Sequence, residues 1–304
     1  MIEYLRFTKR FGTVRAVSDL DLAVRPGETL ALIGPNGSGK TTTLKAALGL
    51  VRPTEGCVRV AGWDAVREGR RARAAVGYLP QRLAFPEGCT AREAMRLYAR
   101  LRGADPGEVD GLLARVGLLA AADRPAETFS GGMKQRLGIA AALLGGPGAL
   151  VLDEPTAALD PSGSLEVRDL VAAIRAEGTT VLLSSHDLAE VAALADRVAV
   201  FVDGRLAALG GPDELARGLS LPSRLSVGVP DWTVDPRPAA ETAGAHAVTW
   251  EAGTLHCQVA PGGEARVLES LRGAGVGTTT ITVRTPGLEE VYRAATAPPG
   301  GRAA

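Results

Sequence analysis

Residues Gly34 to Thr42 read GPNGSGKTT, and no other stretch of the chain has residue types and spacing that define a chemistry so narrowly. In the pattern G-x-x-x-x-G-K-[ST], the glycines let successive backbone N–H groups turn inward around a polyphosphate, and the helix that follows adds its positive dipole end. A nucleoside triphosphate is therefore the expected ligand of Gly34, Pro35, Asn36, Gly37, Ser38, Gly39, Lys40, Thr41 and Thr42. Lysine is scarce, with only Lys9, Lys40, Lys45 and Lys134 in a chain that otherwise uses arginine. One of these lysines sits in the loop, where a compact ammonium fits between β- and γ-phosphates and a planar guanidinium does not. A ligand-free glycine-rich turn is the plain alternative, and the rare lysine and the flanking segments argue against it.

Those flanks are the elements the chemistry needs. Glu28 to Ile33 (ETLALI) is an apolar run that reads as a strand ending at the loop, and Thr41 to Leu50 (TTTLKAALGL) has helical apolar spacing. A second apolar strand, Ala149 to Pro155 (ALVLDEP), ends in two carboxylates. A buried parallel strand can deliver Asp153 to a Mg²⁺ held by the Thr41 hydroxyl, and Glu154 is then placed to polarise a water against the γ-phosphate. In isolation, DEP would read as a solvated helix cap. At Thr128 to Arg136 (TFSGGMKQR), Ser130, Gly131 and Gly132 open a helix and form a second anion-binding N-terminus.

Composition narrows the class. The chain has 304 residues, 46% of them hydrophobic, which is enough for one substantial core and a smaller second one. The formal net charge is zero, so no broad polyanion-binding face is expected and nucleic acid is not a favoured partner. Cys57, Cys89 and Cys257 are scattered without ligand-like spacing, which points to a reducing compartment. The opening MIEYLRFTKRFG lacks the organisation of a signal peptide. The longest uncharged run, Leu137 to Leu152, is shorter than the ~20 residues of a spanning helix.

SGG just upstream of a strand ending in DEP, after a phosphate loop, resembles the ATP-binding cassette (ABC) ATPases, and the likeness covers about Ile2 to Leu219. The resemblance implies a P-loop ABC ATPase core of α/β class, a mixed sheet flanked by helices. It also implies a head-to-tail homodimer in which Gly34 to Thr42 of one subunit and Ser130 to Gly132 of the other enclose each ATP with Mg²⁺. In the same light, Gln81 (GYLPQR) matches the Q-loop glutamine that contacts Mg²⁺ or the attacking water. Ala158, Leu159 and Asp160 match the D-loop that crosses the interface. His186 (LLSSHD) matches the switch histidine that contacts the γ-phosphate, and Phe11 matches the aromatic that stacks on adenine, where tyrosine is more usual. Phe129 precedes SGG where leucine is common. By the same resemblance, Lys40, Gln81, Glu154 and His186 are catalytic, and Thr41, Gln81 and Asp153 hold the metal. A separate integral-membrane transporter subunit would anchor the ATPase at the cytoplasmic face of the membrane and contain the cargo pocket.

Helical patterns at Thr90 to Arg102 and Pro106 to Leu118 correspond to the family's helical subdomain, about residues 82–130. The ABC ATPase domain is expected over 1–220 and a small α+β accessory domain over 221–304, where composition shifts to Gly, Pro and Thr. Strand patterns there fall at Arg224 to Val229, Ala247 to Trp250, Thr254 to Val259 and Thr279 to Val283, with helical spacing at Glu264 to Leu271 and Leu288 to Ala295. His246 and His256 read as structural residues, because His256 and its neighbour Cys257 face opposite sides of a strand. The ending TPGLEEVYRAAT resembles the terminal helix of ATPases serving ABC-2 type exporters, including antibiotic-resistance exporters and the Nos-type ATPase. Two alternatives stay open: a soluble regulatory ATPase with no membrane partner, and a binding-only switch.

Overall fold

The computed structural model describes residues 1–230 and 234–297. The chain divides into two compact units, Met1–Leu209 and Gly210–Ala304. The first unit runs β1 (Ile2–Phe11), β2 (Val14–Val24), β3 (Thr29–Ile33), α1 (Lys40–Ala47), β4 (Glu55–Val60), β5 (Trp63–Asp64), α2 (Gly69–Ala74) and β6 (Val76–Leu79). It continues through α3 (Ala91–Arg102), α4 (Val109–Arg115), α5 (Gly131–Leu143), β7 (Ala149–Asp153), α6 (Pro161–Ala176), β8 (Thr180–Ser184), α7 (Leu188–Leu194), β9 (Arg197–Val202) and β10 (Arg205–Gly210).

A six-stranded sheet in the order β10-β9-β3-β8-β7-β6 carries the phosphate loop. Its strands β9, β3, β8, β7 and β6 are parallel. Every residue of β3, β7 and β8 is buried, as expected of parallel strands covered on both faces, which is why their sequences are near-continuous apolar runs. Asp203 and Gly204 both have positive φ and turn β9 into β10, the combination that joins hairpin strands. A second sheet, β2-β1-β4-β5, is antiparallel. Tyr4, Phe7, Leu20 and Val58 from this sheet share a core with Leu44 of α1 and Phe201 of β9. The Tyr4 hydroxyl donates to the Thr43 carbonyl at 2.9 Å and so ties β1 to α1.

A helical layer has its own core, with Met95 from α3, Leu113 from α4, Phe129, and Leu137 from α5. Thr90 caps α3 through the Glu93 N–H, and the Glu93 carboxylate returns to the Thr90 N–H at 2.9 Å. The expected limit of residue 130 falls short of this layer, because Leu137 and Ala140 of α5 supply the apolar face on which α3 and α4 close.

The second unit contains α8 (Pro212–Gly218), β11 (Ser223–Gly228), α9 (Arg237–Thr242), β12 (His246–Glu251), β13 (Thr254–Val259), α10 (Glu264–Gly273), β14 (Ile281–Arg284) and α11 (Leu288–Thr296). Its sheet has the order β12-β13-β11-β14, all antiparallel. Leu225, Val227, Leu255 and Cys257 on one face of the sheet pack with Ala240 of α9 and with Val267 and Leu271 of α10. His256 is on the other face, where it hydrogen-bonds Ser226 at 2.9 Å. The contact boundary at 209/210 lies before the expected 220/221, because α8 packs on α11.

Candidate nucleotide site

The loop between β3 and α1 has a shape that depends on missing side chains. Gly34 has φ 152°, and a Cβ there would stand 2.3 Å from the Phe201 carbonyl oxygen. Gly39 has φ 104°, and its Cβ would meet the Ala16 carbonyl at 2.5 Å. Lys40 opens α1 and is only 8% exposed. Its ammonium donates to the carbonyls of Gly34 at 2.7 Å and Pro35 at 3.1 Å. Burial holds the Lys40 pKa below the usual lysine range, and the carboxylates of Glu154 and Asp153 partly offset that. The Ser38 hydroxyl is buried and, among the described residues, has no hydrogen-bond partner, an arrangement that fits a loop built around a polar ligand.

Acidic residues reach this loop from neighbouring strands. β7 and β8 run in register with Asp153 opposite Ser184. The Ser184 hydroxyl donates to Asp153 Oδ1 at 2.7 Å, and the Thr41 hydroxyl approaches the same oxygen at 3.3 Å. Glu154 has φ 55° and its N–H is held by Ser184 Oγ at 3.1 Å. This strained corner aims the Glu154 carboxylate at His186 Nδ1, with which it pairs. The Glu154 side chain is 12% exposed and that of His186 is 70% exposed, so the carboxylate is the buried member of the pair and the histidine the outer one.

A cleft of about 350 Å³ gathers Asn36, Lys40, Thr41, Thr42, Gln81 and Glu154. Phe11 is not among its walls. It ends β1, is 51% exposed, and takes the Lys9 ammonium 4.7 Å from its ring centroid, while Ala16 of β2 lines the cleft. Ser130 to Gly132 are elsewhere. Ser130 caps α5 by accepting from the Met133 N–H at 3.3 Å, and Asp160 caps α6 by accepting from the Gly163 N–H at 2.8 Å. A separate cleft of about 380 Å³ joins Ser130, Gly131 and Gly132 with Ala158, Leu159 and Asp160. One chain thus carries two polar clefts, one with Lys40 and Glu154 and one with the SGG corner. Ser184 and Ala16 are site residues that sequence reasoning missed. The serine doublet in LLSSHD was the available signal for the first, and nothing marked the second.

The geometry agrees with the relatives of this chain. A profile of the family described as ABC transporter matches residues 17–157. A daunorubicin resistance ATP-binding protein, DrrA2 of Streptomyces coeruleorubidus, is 37% identical over 295 residues, covering 93% of this chain and 91% of that protein. The chain belongs to the ABC transporter family. Human phospholipid-transporting ATPase ABCA7 is 39% identical over 289 residues, and the aligned part is 91% of this chain but 14% of that much longer protein. Among solved structures, a dimeric post-hydrolysis state of an ATP-binding cassette bound to ADP and Pi is similar, with TM-score 0.63, 26% identity, and coverage of 69% of this chain and 98% of that one. The mixed sheet flanked by helices is the ABC ATPase cassette fold. Among the described residues, no helix is long and apolar enough to cross a membrane.

Proposed function

We propose that this chain is the ATP-binding and ATP-hydrolysing subunit of an ABC exporter, acting as a homodimer on a separate membrane subunit at the cytoplasmic membrane face. The observation that carries this reading is the separation of two half-sites on one chain, Lys40 with Thr41 and Glu154 in one cleft and Ser130 to Gly132 with Asp160 in another. Each becomes complete only against a second copy. Lys40 and the loop amides bind the β- and γ-phosphates, and Glu154, oriented by His186, takes a proton from the attacking water. Thr41 and Asp153, with Gln81, would hold Mg²⁺, which supplies positive charge to the phosphate oxygens. Phosphoryl transfer asks mainly for positioning and charge stabilisation, and these residues provide both.

Beside Gln81, an apolar groove of about 620 Å³ lined by Leu50, Tyr78, Leu83, Phe85, Tyr98 and Leu101 is the surface on which a helix of the membrane subunit would dock. The likeness to a daunorubicin resistance ATP-binding protein supports an exporter. Glu154→Gln tests the reading. The variant is expected to bind ATP with its affinity intact, to lose roughly 10²–10⁴-fold in phosphate release, and to dimerise with ATP and Mg²⁺ in light scattering. A wild-type chain that releases no phosphate, or a variant that stays monomeric with ATP at high protein concentration, would overturn it.

A further inference from the structure

Three polar side chains of the second unit stand in a row without partners. In the sheet register, Arg224 of β11 lies opposite Gln258 of β13 on one side and opposite Arg284 of β14 on the other. Residues paired across strands share a face, and successive residues alternate between faces. Because Leu225 and Val227 pack with α9 and α10, Arg224, Gln258 and Arg284 belong to the opposite face. Among the described residues, none of these three side chains makes a hydrogen bond or ion pair. Like charges directly opposite on neighbouring strands are destabilising, and a glutamine or threonine at either arginine would relieve the repulsion. β14 is an edge strand, where a charge discourages pairing with another chain. One arginine is enough for that, and it need not face a second.

A cleft of about 240 Å³ joins Arg224, Gln258 and Arg284 with Glu290 and Arg293 of α11. The two charges that α11 brings are already engaged. Glu290 accepts the Gly287 N–H at 3.1 Å, and Arg293 donates to Glu289 at 3.0 Å. The cleft therefore holds two guanidinium groups that pair with no carboxylate, and beside them an amide with a free donor.

We propose that this cleft is a phosphate-binding site of the second unit, in which a phosphate dianion bridges Arg224 and Arg284 and takes a further hydrogen bond from the Gln258 amide. A carboxylate would neutralise one guanidinium and leave the other unpaired, whereas a dianion with several terminal oxygens satisfies both. Free phosphate and the monoester headgroup of phosphatidic acid offer the same chemistry. The site shares no residue with the phosphate loop, so it stands whether or not the chain hydrolyses ATP. Calorimetric titration of the full chain with inorganic phosphate, in a Lys40→Ala background that disables the loop, tests it. Arg224→Gln and Arg284→Gln are each expected to weaken the remaining binding about tenfold or more. In phosphate-free buffer at low salt, Arg284→Gln is expected to melt about 1–4 °C above its parent, because the opposed charge is gone. Co-sedimentation with vesicles containing phosphatidic acid, against vesicles of equal charge made with phosphatidylserine, separates the two sources. Selective binding to phosphatidic acid that both arginine variants lose assigns a lipid headgroup, and phosphate binding without it assigns a free phosphate. No phosphate binding in the Lys40→Ala background, or an affinity unchanged in both arginine variants, overturns the site. A lower melting temperature in Arg284→Gln without phosphate overturns the account of Arg284 as an unrelieved charge.

Discussion

Lys40 is where the chain's general preference for arginine meets a local geometric limit. Its ammonium fits between two loop carbonyls in a nearly closed space, and a guanidinium is broader and needs planar partners. Lys40→Arg is therefore expected to weaken ATP binding roughly tenfold or more, the equivalent of losing a charged hydrogen bond, in a titration with a fluorescent ATP analogue. The residues of this loop were legible because their spacing is itself the signal. Asp153 and Glu154 were legible for the same reason, as carboxylates ending an apolar run. Ser184 was not, since a buried serine at a strand end looks the same whether its hydroxyl meets an acid or a backbone carbonyl. Phe11 has a different setting. Its motif position marks it for adenine stacking, and its half-exposed ring has Lys9 over one face, while Ala16 of β2 lines the cleft.

At the scale of elements, the start of the loop lies close against β9, which pairs with β3. Gly34→Ala would drive a methyl into the Phe201 carbonyl and is expected to cost about 3 kcal/mol or more. Gly37, at φ 81°, has nothing within 4 Å of a built Cβ, so Gly37→Ala should cost only the backbone term, about 1–2 kcal/mol. Urea unfolding of the two variants measures the difference, and equal costs would show that the β3–β9 contact does not constrain the loop. Buried parallel strands were readable as apolar runs, and α3 as a capped amphipathic helix. The short α9 was not, because Pro236 and Pro238 around an alanine-rich stretch give no helical period. The grouping of α8 with the second unit was not readable either, because its sequence does not reveal that α11 is its packing partner.

At the scale of the whole molecule, each of the two units has core residues of its own, Tyr4, Leu44 and Phe201 in the first and Leu225, Leu255 and Val267 in the second. Thermal unfolding is therefore expected to depart from two-state behaviour, with a calorimetric enthalpy exceeding the van't Hoff value. ATP and Mg²⁺ are expected to raise only the transition of the first unit, since ligand stabilises the fold it binds. Scanning calorimetry with and without nucleotide measures both, and a single two-state transition would show that the units unfold as one.

Local spacing was sufficient to identify the phosphate loop, the paired carboxylates, the SGG corner and the alternation of strands and helices, because each of these is a short-range pattern of residue type. Strand order is not such a pattern. Only the tertiary structure set β7 beside β8, bringing Asp153 to Ser184 and Glu154 to His186 across more than thirty residues of chain. It also put the SGG corner and Asp160 in a cleft apart from Lys40. Which strands become neighbours depends on the burial of whole faces and the handedness of their crossovers, and neither is written in any short stretch of sequence.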